Sequence, residues 1–224
     1  DNRDRNAIAY DDELIAISGL ERAKLPELVP SASVIGTVTP EVAATLGLSE
    51  HTKVVTATGD VHSAVVGSGA LGDYEGHLYI GTSSWLSCHV PWKRTDVLHN
   101  QAALPSALPG RYFIANEHET AGECIDHLID HVLFPDDALG TPRPDDPYAA
   151  VEALAAGVPA GANGVIYTPW LNGERTPVDD HTIRGGWHHV ALANTRADLV
   201  RAVYEGVAFN SRWLLEVVEK FAKH

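Results

Sequence analysis

Two short stretches of this sequence hold residue types suited to group-transfer chemistry. At Thr58-Gly59-Asp60 an acid follows the β-branched run Val54-Val55-Thr56. Such a run reads as a short buried strand, and ligands of open α/β sheets bind at the carboxyl ends of strands. An acid held there can accept a proton from a substrate hydroxyl. Asp60 also suits the cap of a helix expected over residues 63–70, and the two roles are compatible. The second stretch, Gly81-Thr82-Ser83, follows a strand expected at residues 77–80. Its backbone N–H groups and hydroxyls suit an anion, although a plain hairpin turn reads the same way. A base set one helix and one strand before an anion-facing turn points to phosphoryl transfer.

Other patterns weigh less. Gly67-Ser68-Gly69-Ala70-Leu71-Gly72 matches G-x-G-x-x-G, but that signature needs a helix directly after it. Residues 73–80 alternate β-formers instead, so it is set aside. His127 and His131, flanked by Asp126 and Asp130, have metal-ligand spacing but lack an evident third ligand, and read as a solvated face. No metal-ligating residue is expected. Asp179-Asp180-His181, after Glu174-Arg175, reads as an exposed charged loop. No G-x-S-x-G nucleophile elbow is present.

The elements that must position these residues follow from periodicity and punctuation. Helices are expected at residues 11–17, stopped by Gly19, at 21–25, and at 41–46 between Pro40 and Gly47. Residues 33–39 suit a strand. After Ser84 the pattern is β-rich over 85–90, 97–103 and 111–115. A helical period takes over at 119–133, with Cys124, Ile125, Leu128, Ile129 and Val132 on one face. A proline- and aspartate-rich loop (135–147), a helix (148–156), a strand (164–167) and a polar loop (171–186) come next. A last helix starts near Thr195, with Asp198 completing a capping box, and runs to about Lys220. Its apolar residues include Leu199, Val203, Val207, Trp213, Leu214 and Val217.

The bulk numbers narrow the partners. With 30 acidic against 16 basic residues the net charge is −14, which argues against binding nucleic acid but not against a nucleotide. Two cysteines make no disulfide framework, so a reducing cytoplasm is the expected setting. The apolar runs fall short of the ~18 residues of a membrane span, and the charged start Asp1-Asn2-Arg3-Asp4-Arg5 reads as no signal peptide. The absence of methionine suggests a piece of a longer polypeptide.

Taken together, several separated pieces resemble the FGGY carbohydrate kinases, with the xylulokinase branch the nearest match. They are Thr58-Gly59-Asp60 with Gly67-Ser68-Gly69, then Gly81-Thr82-Ser83, then Gly173-Glu174-Arg175-Thr176-Pro177 running on to Arg184-Gly185-Gly186-Trp187. The most specific is Arg201-Ala202-Val203-Tyr204-Glu205-Gly206-Val207-Ala208-Phe209. Asn2-Arg3-Asp4 and Leu25-Pro26-Glu27 extend the likeness.

The resemblance implies an α/β, actin-like and ribonuclease-H-type fold in two domains that close over sugar and ATP. It makes residues 1–73 the end of the first, sugar-binding domain and 74–224 most of the second, ATP-binding domain. Asp60 corresponds to the catalytic base of an ATP- and Mg²⁺-dependent transfer to a sugar hydroxyl. Val61 and His62, beside Asp60, fall where the family reads its sugar. Gly81, Thr82 and Ser83 would meet the ATP phosphates, and Gly122, Ile125 and Asp126 are candidates to line the nucleotide pocket. The acceptor implied is a ketopentose such as xylulose, or a related polyol, and a homodimer is allowed.

Two departures qualify the match. Asn or Gln commonly follows the catalytic acid in the family, where this sequence has Val61 and His62. The family's Asp-x-Gly-Thr phosphate motif and glycine-rich adenine motif are absent, so this chain alone is expected to be inactive as a fragment. The rival expectation is a non-catalytic sugar- or nucleotide-binding homologue acting as a regulatory or partner subunit.

Overall fold

The computed structural model describes residues 9–224, so Asn2-Arg3-Asp4 and the rest of the polar start lie outside the described residues. The first elements are α1 (Asp12–Ser18), β1 (Val34–Thr37), α2 (Pro40–Leu46), β2 (Lys53–Val55) and α3 (Asp60–Gly67). Six strands follow: β3 (His77–Ile80), β4 (Ser84–Ser87), β5 (His89–Val90), β6 (Thr95–Asp96), β7 (Gln101–Pro105) and β8 (Tyr112–Ala115). Then come α4 (Glu123–His127), α5 (Pro147–Ala156), β9 (Ile166–Thr168), β10 (Gly186–His188) and α6 (Arg196–Ala222). The chain divides into two compact units. One holds the described residues up to Glu75 with Cys88–Arg94 and Ala103–Phe113; the other holds Gly76–Ser87, Thr95–Ala102 and Ile114–His224.

In the first unit, local capping sets the helices. Asp11 accepts hydrogen bonds from the Glu13 and Leu14 N–H groups, and Gly19 closes α1 in the left-handed region. Thr39, Pro40 and Gly47 bound α2 in the same way. The expected helix at 21–25 shrinks to a 3₁₀ turn, Arg22–Lys24. β1 and β2 pair antiparallel, with an irregularity between Val34 and Gly36. The expectation of a buried strand at Val54-Val55-Thr56 is corrected here. Among the described residues β2 pairs with β1 alone, and Val54 and Val55, like Val34 and Ile35 opposite, are exposed. Burial in this unit gathers instead at Val65, Val90 and Phe113, where β5 pairs with β8.

The second unit is built on the packing of α4, α5, β9 and α6 around Leu128, Ile129, Val151, Tyr167, Val200 and Val203. The Thr195–Asp198 capping box starts α6 as expected. Gly206 lets α6 lie directly on β9, since a Cβ at that position would collide with the Tyr167 carbonyl. Trp213 falls on the open side of α6. Two expectations need correction. The helix at 119–133 changes after His127 into a π-helical turn, Leu128–Leu133. The wider turn rotates the buried face, so Leu133 is covered while Val132 is 43% exposed. The strand expected at 97–103 begins only at Gln101, because the Asp96 carboxylate accepts the Leu98 and His99 N–H groups and folds the segment into a turn.

Candidate active site

Asp60 lies in the first unit, one position later in its helix than a cap. Gly59, in extended conformation, is the N-cap of α3 and makes no side-chain cap bond; Asp60 is the first helical residue. This corrects the expectation that Asp60 caps the helix. Its carboxylate is exposed and accepts one hydrogen bond, 2.8 Å from its neighbour's Val61 N–H. Most of its acceptor capacity is therefore free. Val61 is half-buried. The His62 ring turns away into its own unit: Nε2 lies 2.8 Å from the Pro105 carbonyl oxygen, and the ring stands edge-on to Phe113 at 4.1 Å. Its Nδ1 faces Gly59, where a Cβ would approach to 3.2 Å.

Gly81, Thr82 and Ser83 form the loop of a hairpin in the second unit, where β3 and β4 pair through Ile80 and Ser84. A side chain at Gly81 would collide with the Tyr79 ring. The Gly81 N–H donates to the Ser83 carbonyl at 2.9 Å. Among the described residues nothing engages the N–H groups or hydroxyls of Thr82 and Ser83, and Thr82 is exposed. The carbonyls on the other side of the loop are fully used. Gly122 donates to Gly81 O at 2.7 Å, while Ala121 and Glu123 donate to Thr82 O at 2.9 and 3.3 Å. The loop thereby satisfies N–H groups at the start of α4 that a helix leaves unpaired. Gly122 is required for this closeness, because a Cβ there would meet the Gly81 carbonyl oxygen.

Gly122 is thus brought against the turn. Ile125 packs on the core of the unit and Asp126 accepts a hydrogen bond from the Tyr148 hydroxyl at 2.8 Å. Cys124, beside them, is fully buried, and burial pushes its thiol up to about 11. It has none of the thiolate character of a nucleophile.

Free N–H and hydroxyl donors on an exposed turn fit a phosphate tail. For magnesium, no group of three His, Cys, Asp or Glu side chains suited to a metal occurs among the described residues. The His127 and His131 rings lie tilted against each other, with centroids 5.0 Å apart.

The loop containing Glu174 departs most from its sequence reading. Glu174 is 1% exposed rather than on a charged surface. Its Oε1 accepts the Glu119 and Arg175 N–H groups, both at 2.9 Å, and its Oε2 accepts Asn210 Nδ2 at 2.7 Å. Burial nevertheless raises its carboxyl above the usual range. Arg175 reaches outward to Glu117 and Glu119. The available sign of this network was Asn210, a polar residue between Val203 and Leu214 on the buried stripe of α6.

Comparison with known proteins decides the family. Residues 4–67 match the N-terminal domain of the FGGY family of carbohydrate kinases, and residues 71–224 match its C-terminal domain. The chain belongs to the FGGY carbohydrate kinase family. A xylulose kinase of Staphylococcus epidermidis is 32% identical over 83% of this chain and 35% of its own length. A xylulose kinase of Bacillus subtilis is 30% identical over 92% of this chain and 39% of its own length. The crystal structure of xylulose kinase from Rhodospirillum rubrum superposes with a TM-score of 0.80 at 25% identity, over 94% of this chain and 40% of that one. The fold is therefore part of the actin-like, ribonuclease-H-type α/β architecture of FGGY kinases. The chain spans about two fifths or less of the length of these relatives. No helix among the described residues is long and apolar enough to cross a membrane.

Proposed function

We propose that this FGGY chain serves ATP-dependent phosphorylation of a sugar hydroxyl, with a ketopentose such as xylulose, or a related polyol, as acceptor. The observation that carries the proposal is Asp60: an exposed carboxylate at the start of α3 whose acceptor sites are mostly unclaimed. In this reading Asp60 orients the acceptor hydroxyl and receives its proton as the new oxygen–phosphorus bond forms. Val61 and the backbone around His62 border the sugar, since the His62 ring is held by Pro105 and Phe113. The unengaged donors of Thr82 and Ser83 bind phosphate oxygens, while Gly122 seats the turn and Ile125 and Asp126 border the nucleotide. ATP, as its magnesium complex, supplies the phosphoryl group when bound. Residues 1–73 are assigned to the sugar side and 74–224 to the nucleotide side. The names of the relatives support the acceptor class.

The test is sugar-dependent ADP release from Mg-ATP with a panel of ketopentoses, pentitols and glycerol. It is run on the 224-residue chain and on the longest natural polypeptide containing it. Turnover that Asp60→Asn abolishes, in a variant that stays folded, supports the proposal. Sugar binding without ADP release in either polypeptide favours a non-catalytic binding homologue.

A further inference from the structure

Besides its internal bond from the Gly81 N–H to the Ser83 carbonyl, the Gly81-Thr82-Ser83 loop is held from behind. Its outward side carries unengaged donors, and its inward carbonyls are fastened to residues 118–123. That strap begins at His118, which exchanges backbone hydrogen bonds with Ser84 at 2.6 and 3.3 Å, and ends at the Ala121, Gly122 and Glu123 N–H groups beneath the loop. Midway along the strap, the Glu119 N–H runs into Glu174 Oε1, and Glu174 is fixed in turn by Asn210 on α6. Further ties come from Thr120 to the Pro169 carbonyl, and from Asn172 and Arg175 to the Glu119 side chain.

Burying a carboxylate is costly unless donors surround it. Among the described residues no cation offsets this one, because the Arg175 guanidinium is spent on Glu117 and Glu119. Three N–H donors converge on it instead, from the strap, its own loop and α6. An apolar side chain would fill the same space but leave the Glu119 and Asn210 donors unpaired. Such an anion is bound by direction as well as by charge, so it sets where the strap lies.

We propose that Glu174 is the positioning residue of the Gly81-Thr82-Ser83 turn, acting through the strap at residues 118–123 and anchored by Asn210. What the turn binds rests on the function proposed above; how it is held does not.

Amide hydrogen exchange on the full 224-residue chain, without ligand, tests the positioning directly. In Glu174→Ala the Ala121, Gly122 and Glu123 amides exchange about 10–100-fold faster, the range expected for lost bonds to a charged acceptor. Amides within α5 keep their rates. Glu174→Gln restores protection, because its amide oxygen can accept the two backbone N–H groups while its NH₂ faces a flipped Asn210 amide. Asn210→Ala, a milder cut, gives the same pattern with smaller amplitude if Glu174→Ala does not fold. Unchanged exchange at residues 121–123, or an equal rise throughout the unit, overturns the proposal and leaves Glu174 a general stabiliser. A titration with Mg-ADP separates the two readings. In the wild-type chain, Thr82 and Ser83 amide shifts report nucleotide, Glu174→Ala weakens binding by the same factor, and Glu174→Gln does not. No shift at Thr82 and Ser83 in the wild type removes the phosphate role of the turn, while the exchange pattern still decides the positioning.

Discussion

Asp60 and Glu174 each follow a glycine, and both lie in pieces of sequence that carry the family likeness, yet their surroundings are opposite. Gly59 is extended and passes Asp60 to the first position of a helix, in the open, with one N–H on its carboxylate. Gly173, at φ +80°, turns the chain so tightly against Asp180 and His181 that Glu174 is driven inward, where three donors meet it. The exposed acid keeps acceptor sites for a substrate hydroxyl. The enclosed one, 1% exposed with three donors already on it, is out of reach of a substrate and acts by holding its neighbours. On the function proposed above, chemistry and architecture are divided between two residues of nearly the same type, and solvent access decides which does which.

The largest effect that bears on this contrast is on turnover. Asp60→Asn in the longest polypeptide containing the chain lowers sugar-dependent ADP release by about 10²–10⁴, the usual worth of a general base. Activity near the unsubstituted level removes Asp60 from the mechanism. For Glu174 the expected loss is in stability. Urea unfolding of Glu174→Ala shows a decrease of about 3 kcal/mol from buried donors left unpaired, and Glu174→Gln a smaller one. Equal losses in both would mean that the anionic charge matters rather than the volume or the acceptor oxygen that glutamine keeps.

His118, at the head of the strap, sharpens the contrast through pH. It is buried, its Nε2 has no partner among the described residues, and burial lowers its imidazole from 6.5 to about 4. The unfolded chain then takes up a proton at this residue before the folded chain does. Its contribution is fully present above pH 6.5 and is lost as pH falls toward about 4. A displacement of that size is worth about 3 kcal/mol at most. Glu174, raised by burial, acts with the opposite sign, favouring the folded state as pH falls through the carboxylate range. Unfolding free energies of wild type and His118→Gln measured from pH 7 to pH 4 isolate the histidine, with the flatter profile expected in the variant. The smallest effect is that of Asp60→Asn on stability. An exposed side chain with one local hydrogen bond should change it by less than about 0.5 kcal/mol, as thermal unfolding would show. A larger loss would place Asp60 among the structural acids with Glu174.

Much of the local structure was legible in the sequence. The Thr39-Pro40 start and Gly47 end of α2, and the Thr195–Asp198 box of α6, are decided by groups within a few residues of each other. What misled were segments whose fate depends on distant partners. The apolar residues of β2 read as core, but among the described residues the strand has only β1 beside it. The phase of the helix after Ala121 followed α-helical spacing until the π turn shifted it. The Glu174 loop read as surface, because nothing adjacent reveals Glu119 and Asn210, which lie 55 and 36 residues away.

By itself, then, the sequence determined the family, the residue types of the candidate site, and the helix boundaries written by caps, prolines and glycines. Tertiary structure alone decided which acid is free and which is enclosed, and that the Gly81-Thr82-Ser83 turn is tied down from behind by residues 118–123. The reason is range. Capping and periodicity are satisfied within a turn or two of chain, whereas burial and the pairing of a buried carboxylate are settled by segments that only folding brings together.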